Sequence, residues 1–520
     1  MKAACLKKEG LTVRLGELLY YVFFAGLLFA KGIGLYDGQK SFKIILIVSC
    51  VCWAGKMLMT EFERRELLTA VLLLLLGAVV YRVSGDKGFL LYVMMVTGAK
   101  DVPLKRIFTV GLITWVLSFG GMFFLTASHI VSSPFKVHEK GGELIVRWGL
   151  GSPHPNVLHV SYLVFCMFTG FCLDKRISLK WLIAMMAGNF YVFLYSVSFT
   201  GFIAVSFYLA LCGYWMLRKK IEAVDKTLLY GGAAFCVLFS MAGPVLIRGK
   251  AFEVINHLLN TRFLLSRNFL TNCPYSLFGT KLSDIVTYSA TMDCSYVYAY
   301  VAYGIPAFLL LMAGYAFIIR KYAGERKGKE MCMILAAMVA GVTEPFLFNT
   351  SFKNISLLFF RDLIYPEKST AKSGRVISLG HACDRSFTIP TERFTGVWSG
   401  ISGIIRKGKG KLFILFALAF VIGAALHAGT AERPQRIVVP RDQSDLDESW
   451  YTELNLTPDQ ITDGDVVYGR IEEDAVLMGL KGRAIDLEML RDAANFGTLA
   501  GGLALIITIV YSYIRGRDNV

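Results

Sequence analysis

The chain has 520 residues, a mean hydropathy of +0.53, 55% hydrophobic residues, 18% charged residues and a formal net charge of +16. Soluble proteins carry about 25% charged residues, so an ordinary soluble enzyme, a disordered chain and a secreted disulfide scaffold are excluded. Apolar runs near ~20 residues recur along the chain and predict an all-α polytopic integral membrane protein, because a lipid-exposed backbone must satisfy its own hydrogen bonds.

The runs place spans at 18–35, 44–59, 67–81, 88–99, 107–128, 156–173, 181–197, 199–217, 227–247, 295–319, 331–343, 346–360, 411–428 and 494–514. About 12 therefore fall within residues 1–362, with 331–360 readable as two spans or one broken helix, and two more follow in a C-terminal module. The N-terminus has basic residues and an apolar stretch without a small-residue cleavage pattern, which predicts an uncleaved first span. With the N-terminus inside, the inner loops hold 21 Lys and Arg in 57 residues and the outer loops 12 in 87. That bias predicts a cytoplasmic N-terminus and puts loops 129–155 and 248–293 together on the outer face.

The basic excess fits anionic lipid rather than nucleic acid, since no zinc-finger spacing or basic helix is present. Residues 363–410 form a basic inner linker ending in RKGKGK at 406–411, with Phe394–Ile405 either along the inner leaflet or flexible. Residues 411–520 form a two-span module around a small acidic outer domain, 429–492, of net charge −8. Its stretch 472–492 is predicted to be helical. Most of the 11 cysteines lie in apolar runs as small hydrophobes. Cys273 and Cys294 instead share one outer loop, which predicts a disulfide between them.

Three polar groups carry the candidate chemistry. In RWGLGSPHPN (147–156), Arg147, His154 and Asn156 precede a span, and two prolines restrict His154; the alternative is a histidine that faces water. In the loop 248–293, Arg262 can hold a phosphate bidentately, and Asp293 can accept a proton at a low-dielectric rim ahead of Tyr296; the alternative is a pair of solvated charges. His257, in the same loop, is a further base candidate. In GVTEPFLFNTSFKN (341–354), Glu344 lies where two apolar runs meet, as a helix-breaking cap or a buried functional acid, and Asn349 and Asn354 can bridge helices. No Walker A loop, HExxH or paired CxxC is present.

Taken together, residues 15–362 resemble the bacterial O-antigen polymerase and ligase superfamily, especially the capsule or exopolysaccharide polymerases of Gram-positive bacteria. RWGLGSPHPN is similar to that family's Arg loop ending in Gly-x-x-His-Pro-Asn. TRFLLSRNFLTNCPYSLFG (261–279) is similar to its Gly-Arg segment followed by Leu-Phe-Gly. MDCSYVYAYVAYGI (292–305) resembles its Asp-Asn-x-Tyr start of a span, with Cys294 in place of the usual Asn. EPFLFNTSFKN (344–354) resembles its late Glu and Asn pair. The family commonly has an Arg at the junction of two central spans; here YSVSFTGF puts Phe199 there. Either Arg147, Arg248 and Arg262 supply that charge, or this member has diverged.

The resemblance implies polymerisation of polyprenyl-pyrophosphate-linked oligosaccharide repeat units on the outer face of a bacterial cytoplasmic membrane, without metal or other cofactor. Arg147 and Arg262 would hold the pyrophosphate, aided by Asn156, Tyr296 and Glu344. His154, Asp293 or His257 would act as the base or its orienter. The implied partners are the lipid-linked glycan, membrane lipid and other polysaccharide-assembly proteins. Ligation of the glycan to another acceptor, transport, and a non-catalytic assembly role are the alternatives.

Overall fold

The computed structural model describes residues 11–517 except 128–129, 132–134, 141–142, 174–176, 219–221, 274, 286–291, 367–375, 381–384, 390–391, 432, 435, 441–454, 457–465, 468–474 and 481. Among the described residues, ten helices are long and apolar enough to cross a membrane. The protein is a mostly helical, multi-pass membrane protein.

The helices are Leu15–Gly32, Lys40–Leu58, Arg64–Ser84, Leu104–Ala127, Pro155–Leu173, Phe199–Leu217, Val224–Met241, Ser295–Glu325, Lys407–Thr430 and Arg483–Arg515. Leu179–Ser196 adds an 18-residue apolar helix. Their packing uses small residues as contact points. A Cβ on Gly111 would lie 2.4 Å from the Phe168 ring, and one on Gly170 would lie 2.5 Å from the Tyr208 hydroxyl. Close approach of this kind suits helices in lipid, where burial supplies little drive for association. The loops gather at two ends. At one end Arg106 pairs with Glu17 and Lys321 donates to the Asp362 carbonyl. At the other, Lys87 pairs with Asp37, and Gly34 packs on Gly151.

Three expected spans take a different form. The 88–99 run is an 11-residue helix, Gly88–Gly98, and the 331–343 run is the 13-residue helix Gly328–Ala340. The 346–360 run is not an α-helix. It holds two 3-10 segments, Pro345–Leu347 and Ile355–Phe360, separated by irregular chain. It nevertheless passes between the two ends: the Phe348 carbonyl accepts from Tyr303, while Arg361 donates to the carbonyls of Ala99 and Val102. Irregular backbone at that depth is tolerated only inside protein. Phe346, Leu347, Phe348, Phe352, Leu357, Leu358 and Phe359 are accordingly all buried. Phe352, at φ 54, stacks on Tyr92 and meets the edge of Phe23.

The described residues of the linker include two paired strands. Val376–Ser378 pairs antiparallel with Glu61–Glu63, and Ser386–Ile389 pairs antiparallel with Leu11–Arg14. The expected boundary between 410 and 411 falls inside one 39-residue helix, Glu392–Thr430. In the C-terminal module, Arg436–Pro440, Asn455–Leu456, Val466–Val467 and Ala475–Gly479 form a four-stranded sheet. Among the described residues of 472–492, where a helix was expected, Ala475–Gly479 is a strand and the helix begins only at Arg483; 472–474 lie outside the described residues. A short apolar run such as AVLMG fits either state by periodicity.

Candidate active site

Four helices start near one another at the Lys87 end of the bundle. Pro155–Leu173 and Phe199–Leu217 begin there, as do Arg262–Asn272 and Ser295–Glu325. Helix starts carry unpaired N–H groups and partial positive charge, so they favour anions.

The turn Val197–Ser198 joins the helices Leu179–Ser196 and Phe199–Leu217. Val197 is left-handed at φ 43, and the Ser198 hydroxyl accepts from Gly201 N–H at 3.3 Å, which caps the second helix. Beneath the turn, His159 is wholly buried; its Nδ1 lies 2.8 Å from Ser196 Oγ and its Nε2 2.8 Å from Asn189 Oδ1. Two arginines meet this turn. Arg147 Nε donates to the Ser196 carbonyl at 2.7 Å, and Arg262 Nη1 donates to Thr200 Oγ1 at 3.4 Å.

Arg262 stands at the centre. Its Nε donates to Asp293 Oδ2 at 2.9 Å and its Nη2 to Glu344 Oε1 at 3.2 Å. Thr200 donates to the same Glu344 oxygen at 3.0 Å. Residues 62, 31 and 82 positions away in the chain thus close on one guanidinium. The two acid-bearing segments are stapled together, since the Ser295 hydroxyl donates to the Glu344 carbonyl and accepts from Leu347 N–H. Burial alone would pull the Arg262 pKa down, but Glu344 and Asp293 together raise it above its ordinary value. Burial pushes the Glu344 carboxyl up to about 7, with Arg262 opposing. Burial pulls Arg147 down to about 10, again with Glu344 opposing, so both guanidiniums stay charged at neutral pH. Asp293 is the more open acid, its side chain 26% exposed against 7% for Glu344.

Arg147 Nη2 donates to Asn156 Oδ1 at 2.6 Å, and His154 Nδ1 accepts from Asn156 N–H at 3.1 Å. His154 is half-buried beside this pair. The charges of Arg147, Arg262 and Glu344 act on one another, which joins the His154 loop to the Arg262 cluster.

The structure therefore brings Arg147, His154, Asn156, Arg262, Asp293 and Glu344 together. Tyr296 and His257 lie elsewhere. Tyr296 is fully buried with its hydroxyl spent on the Met338 carbonyl at 2.7 Å, and His257 is exposed on the separate helix Gly249–Leu258. Arg248 is exposed at the start of that helix, and Arg267 donates to the Pro244 and Ile247 carbonyls. Cys273 and Cys294 are free thiols, not a disulfide. Cys294 is buried where the Ser295–Glu325 helix starts, out of the loop it was expected to share. Phe199 is 58% exposed with its ring 5.1 Å from that of Phe193.

The 276–280 turn packs into a break in the helix that starts beside Asp293. Helix Ser295–Glu325 is broken at Gly304, φ 82, and the turn fills the break: Thr280 N–H donates to the Val301 carbonyl at 3.0 Å and Ile305 N–H to the Ser276 carbonyl at 3.1 Å.

Sequence reasoning missed Thr200 and Arg491. Arg491, on the last helix, is 1% exposed; it pairs with Glu488 and donates to the Leu194 and Val146 carbonyls. Nothing marks either residue in the sequence, because one is an ordinary hydroxyl and the other an ordinary charge in an acidic domain. In comparisons with known proteins, no family model matches the chain, and neither a curated protein nor a solved structure matches it.

Proposed function

We propose that this protein is a membrane glycosyltransferase that polymerises polyprenyl-pyrophosphate-linked oligosaccharides at the outer face of a bacterial cytoplasmic membrane. The observation that carries the reading is Arg262, held between Asp293, Glu344 and Thr200 with Arg147 within electrostatic reach. The Lys and Arg bias of the loops assigns this end of the bundle to the outside.

In this reading the two guanidiniums and the surrounding helix starts hold the donor's pyrophosphate and stabilise the charge that grows on it as the sugar–phosphate bond breaks. A sugar hydroxyl of the acceptor attacks the anomeric carbon, and its proton passes to Asp293, the acid open enough to meet it. The carbon–oxygen bond to the pyrophosphate breaks, and polyprenyl pyrophosphate leaves with that electron pair. Glu344 is too buried to meet a hydroxyl and instead sets the position and charge of Arg262. His154 orients the acceptor side through Asn156. The polar groups gather at one end of the bundle, whereas a carrier needs them near its midplane.

The test is polymer analysis in cells carrying Arg147→Ala or Arg262→Ala. Each should abolish polymer and leave single repeat units on lipid. Polymer of normal length in both variants would defeat the assignment.

A further inference from the structure

The helix that leads into Arg262 has an apolar edge that nothing among the described residues covers. Gly249–Leu258 has ten residues, and none of them is fully buried. Its turns divide it into three faces. One packs on the helix Arg262–Asn272: the Phe252 ring is 5.4 Å from that of Phe263, and Asn256 Oδ1 accepts from Leu264 N–H at 2.8 Å. Arg267 clamps the pair, lying 3.7 Å over the Phe252 ring and donating to the Pro244 and Ile247 carbonyls. The second face is polar and exposed, with Lys250, Glu253 and His257. The third carries Val254 and Leu258, one turn apart and 58% and 73% exposed.

The tip of this helix pair stands at the edge of the membrane. The Phe263 ring is 5.4 Å from that of Phe239, in the last turn of the span Val224–Met241. Phe235 and Leu238 are exposed on that span, and Leu246, about three turns beyond Phe235 on nearly continuous helix, is exposed as well. The apolar surface that a bilayer must cover thus runs on past the span, and Leu258 lies on the segment that returns to its end. Arg248 and Lys250, both exposed, offer cations to anionic headgroups. A short helix with one apolar edge and one charged face suits a membrane interface. We infer that Val254 and Leu258 seat this helix in the leaflet at the site's end of the bundle, so that the bilayer surface sets the depth of Arg262. The joint between them is stiff. Asn260 and Thr261 are both left-handed, at φ 51 and φ 66, a rare conformation for a β-branched residue. Asn260 N–H donates to the His257 carbonyl at 3.1 Å and Thr261 N–H to the Asn256 carbonyl at 2.9 Å, and Arg262 follows directly. On the glycosyltransferase reading the guanidinium is thereby held at the level of a lipid's headgroup, which favours a lipid-borne pyrophosphate over a dissolved one; that clause rests on the proposed function.

The test uses full-length protein in nanodiscs of phosphatidylcholine and phosphatidylglycerol, with a fluorescent unnatural amino acid in place of Leu258 or, in a second variant, of His257. Nitroxide on the lipid acyl chains should quench the probe at 258 and iodide in the water should not; the probe at 257 should show the reverse. Iodide quenching at 258 as strong as at 257 would overturn the inference, because the edge would then face water. Shielding of 258 from both quenchers would also overturn it, because a protein surface would then cover the edge. The depth role is read with the double variant Val254→Glu/Leu258→Glu. It should weaken binding of polyprenyl pyrophosphate in the nanodisc by about tenfold, since charge lifts the helix from the leaflet, and leave inorganic pyrophosphate bound as in wild type. Equal losses for both ligands, or a loss for neither, would overturn that role. If the quenching pattern holds while Arg262→Ala leaves both ligands bound, the membrane seat stands and the glycosyltransferase reading fails.

Discussion

Arg491 and Arg147 grip two sides of one piece of structure. Arg491 donates to the carbonyls of Val146 and Leu194, and Arg147, next to Val146, donates to the carbonyl of Ser196 at 2.7 Å. The last helix of the C-terminal module thus holds the strand Glu143–Trp148, which carries the first arginine of the site, and the Val197–Ser198 turn that this arginine meets. Tyr191 and Tyr195 extend the hold by donating to Asn495.

Arg491→Leu should therefore loosen the site from outside it. It breaks the buried Arg491–Glu488 ion pair, and removing one member of such a pair costs about 3–5 kcal/mol. The double variant Glu488→Leu/Arg491→Leu should recover most of that stability, since exchanging a buried ion pair for apolar side chains is often neutral. Thermal unfolding of the purified protein checks both, and the expected order is wild type near the double variant, with the single variant well below.

Glu344 should give pyrophosphate binding a pH dependence. Its folded pKa of about 7 lies above the ordinary 4.5. Between those values the folded state binds more protons than the unfolded state, so this group's contribution to stability falls as pH rises through the window. The same titration acts on Arg262. Below about 7 a neutral Glu344 leaves more positive charge for the ligand, so pyrophosphate affinity should weaken as pH rises past 7. Glu344→Gln should flatten that step and hold the low-pH affinity, as read by isothermal titration from pH 6 to 8.

Gly279 should be intolerant although it touches no charged group of the site. Its φ is +89, and a Cβ there would lie 1.9 Å from the Ala302 carbonyl oxygen. Strain of this kind costs about 1–3 kcal/mol before any displacement of the turn. Gly279→Ala should lower the unfolding temperature and reduce polymer in cells, with Gly304→Ala behaving alike because its Cβ would meet the Leu277 carbonyl at 2.4 Å.

Cys273 and Cys294 should differ in reactivity. Cys273 is half-buried in a loop assigned to the outside, while Cys294 is buried. A membrane-impermeant maleimide should label Cys273 in intact, unreduced cells and spare Cys294. Labelling of Cys273 only after the cells are opened would reverse the assignment of the two ends.

Much of this was legible because charge and hydropathy act locally. The apolar runs mark the helices, and the loops predicted to share a face do gather at one end, as Lys87 with Asp37 and the meeting of Arg147 and Arg262 at the 196–200 turn show. The irregular pass was not legible. An apolar run reads as a span whether its backbone is helical or not, and only the enclosure of Phe352 and Phe359 by other helices permits the irregular form. Thr200 escaped notice because its role exists only once Arg262 and Glu344 arrive from 62 and 144 positions further along. Phe199 drew attention instead, yet it is the next residue that reaches the arginine.

The pairing of Leu11–Arg14 with Ser386–Ile389 has a bearing on biogenesis. The first strand leaves the ribosome hundreds of residues before its mate, and throughout that interval its hydrogen-bonding edge stays open, an invitation to the wrong neighbour. Insertion of the helices can proceed in order, but the clasp shuts only after residue 389 has been made. A truncated nascent chain that stops short of residue 389 would remain unlatched at the terminus where it began.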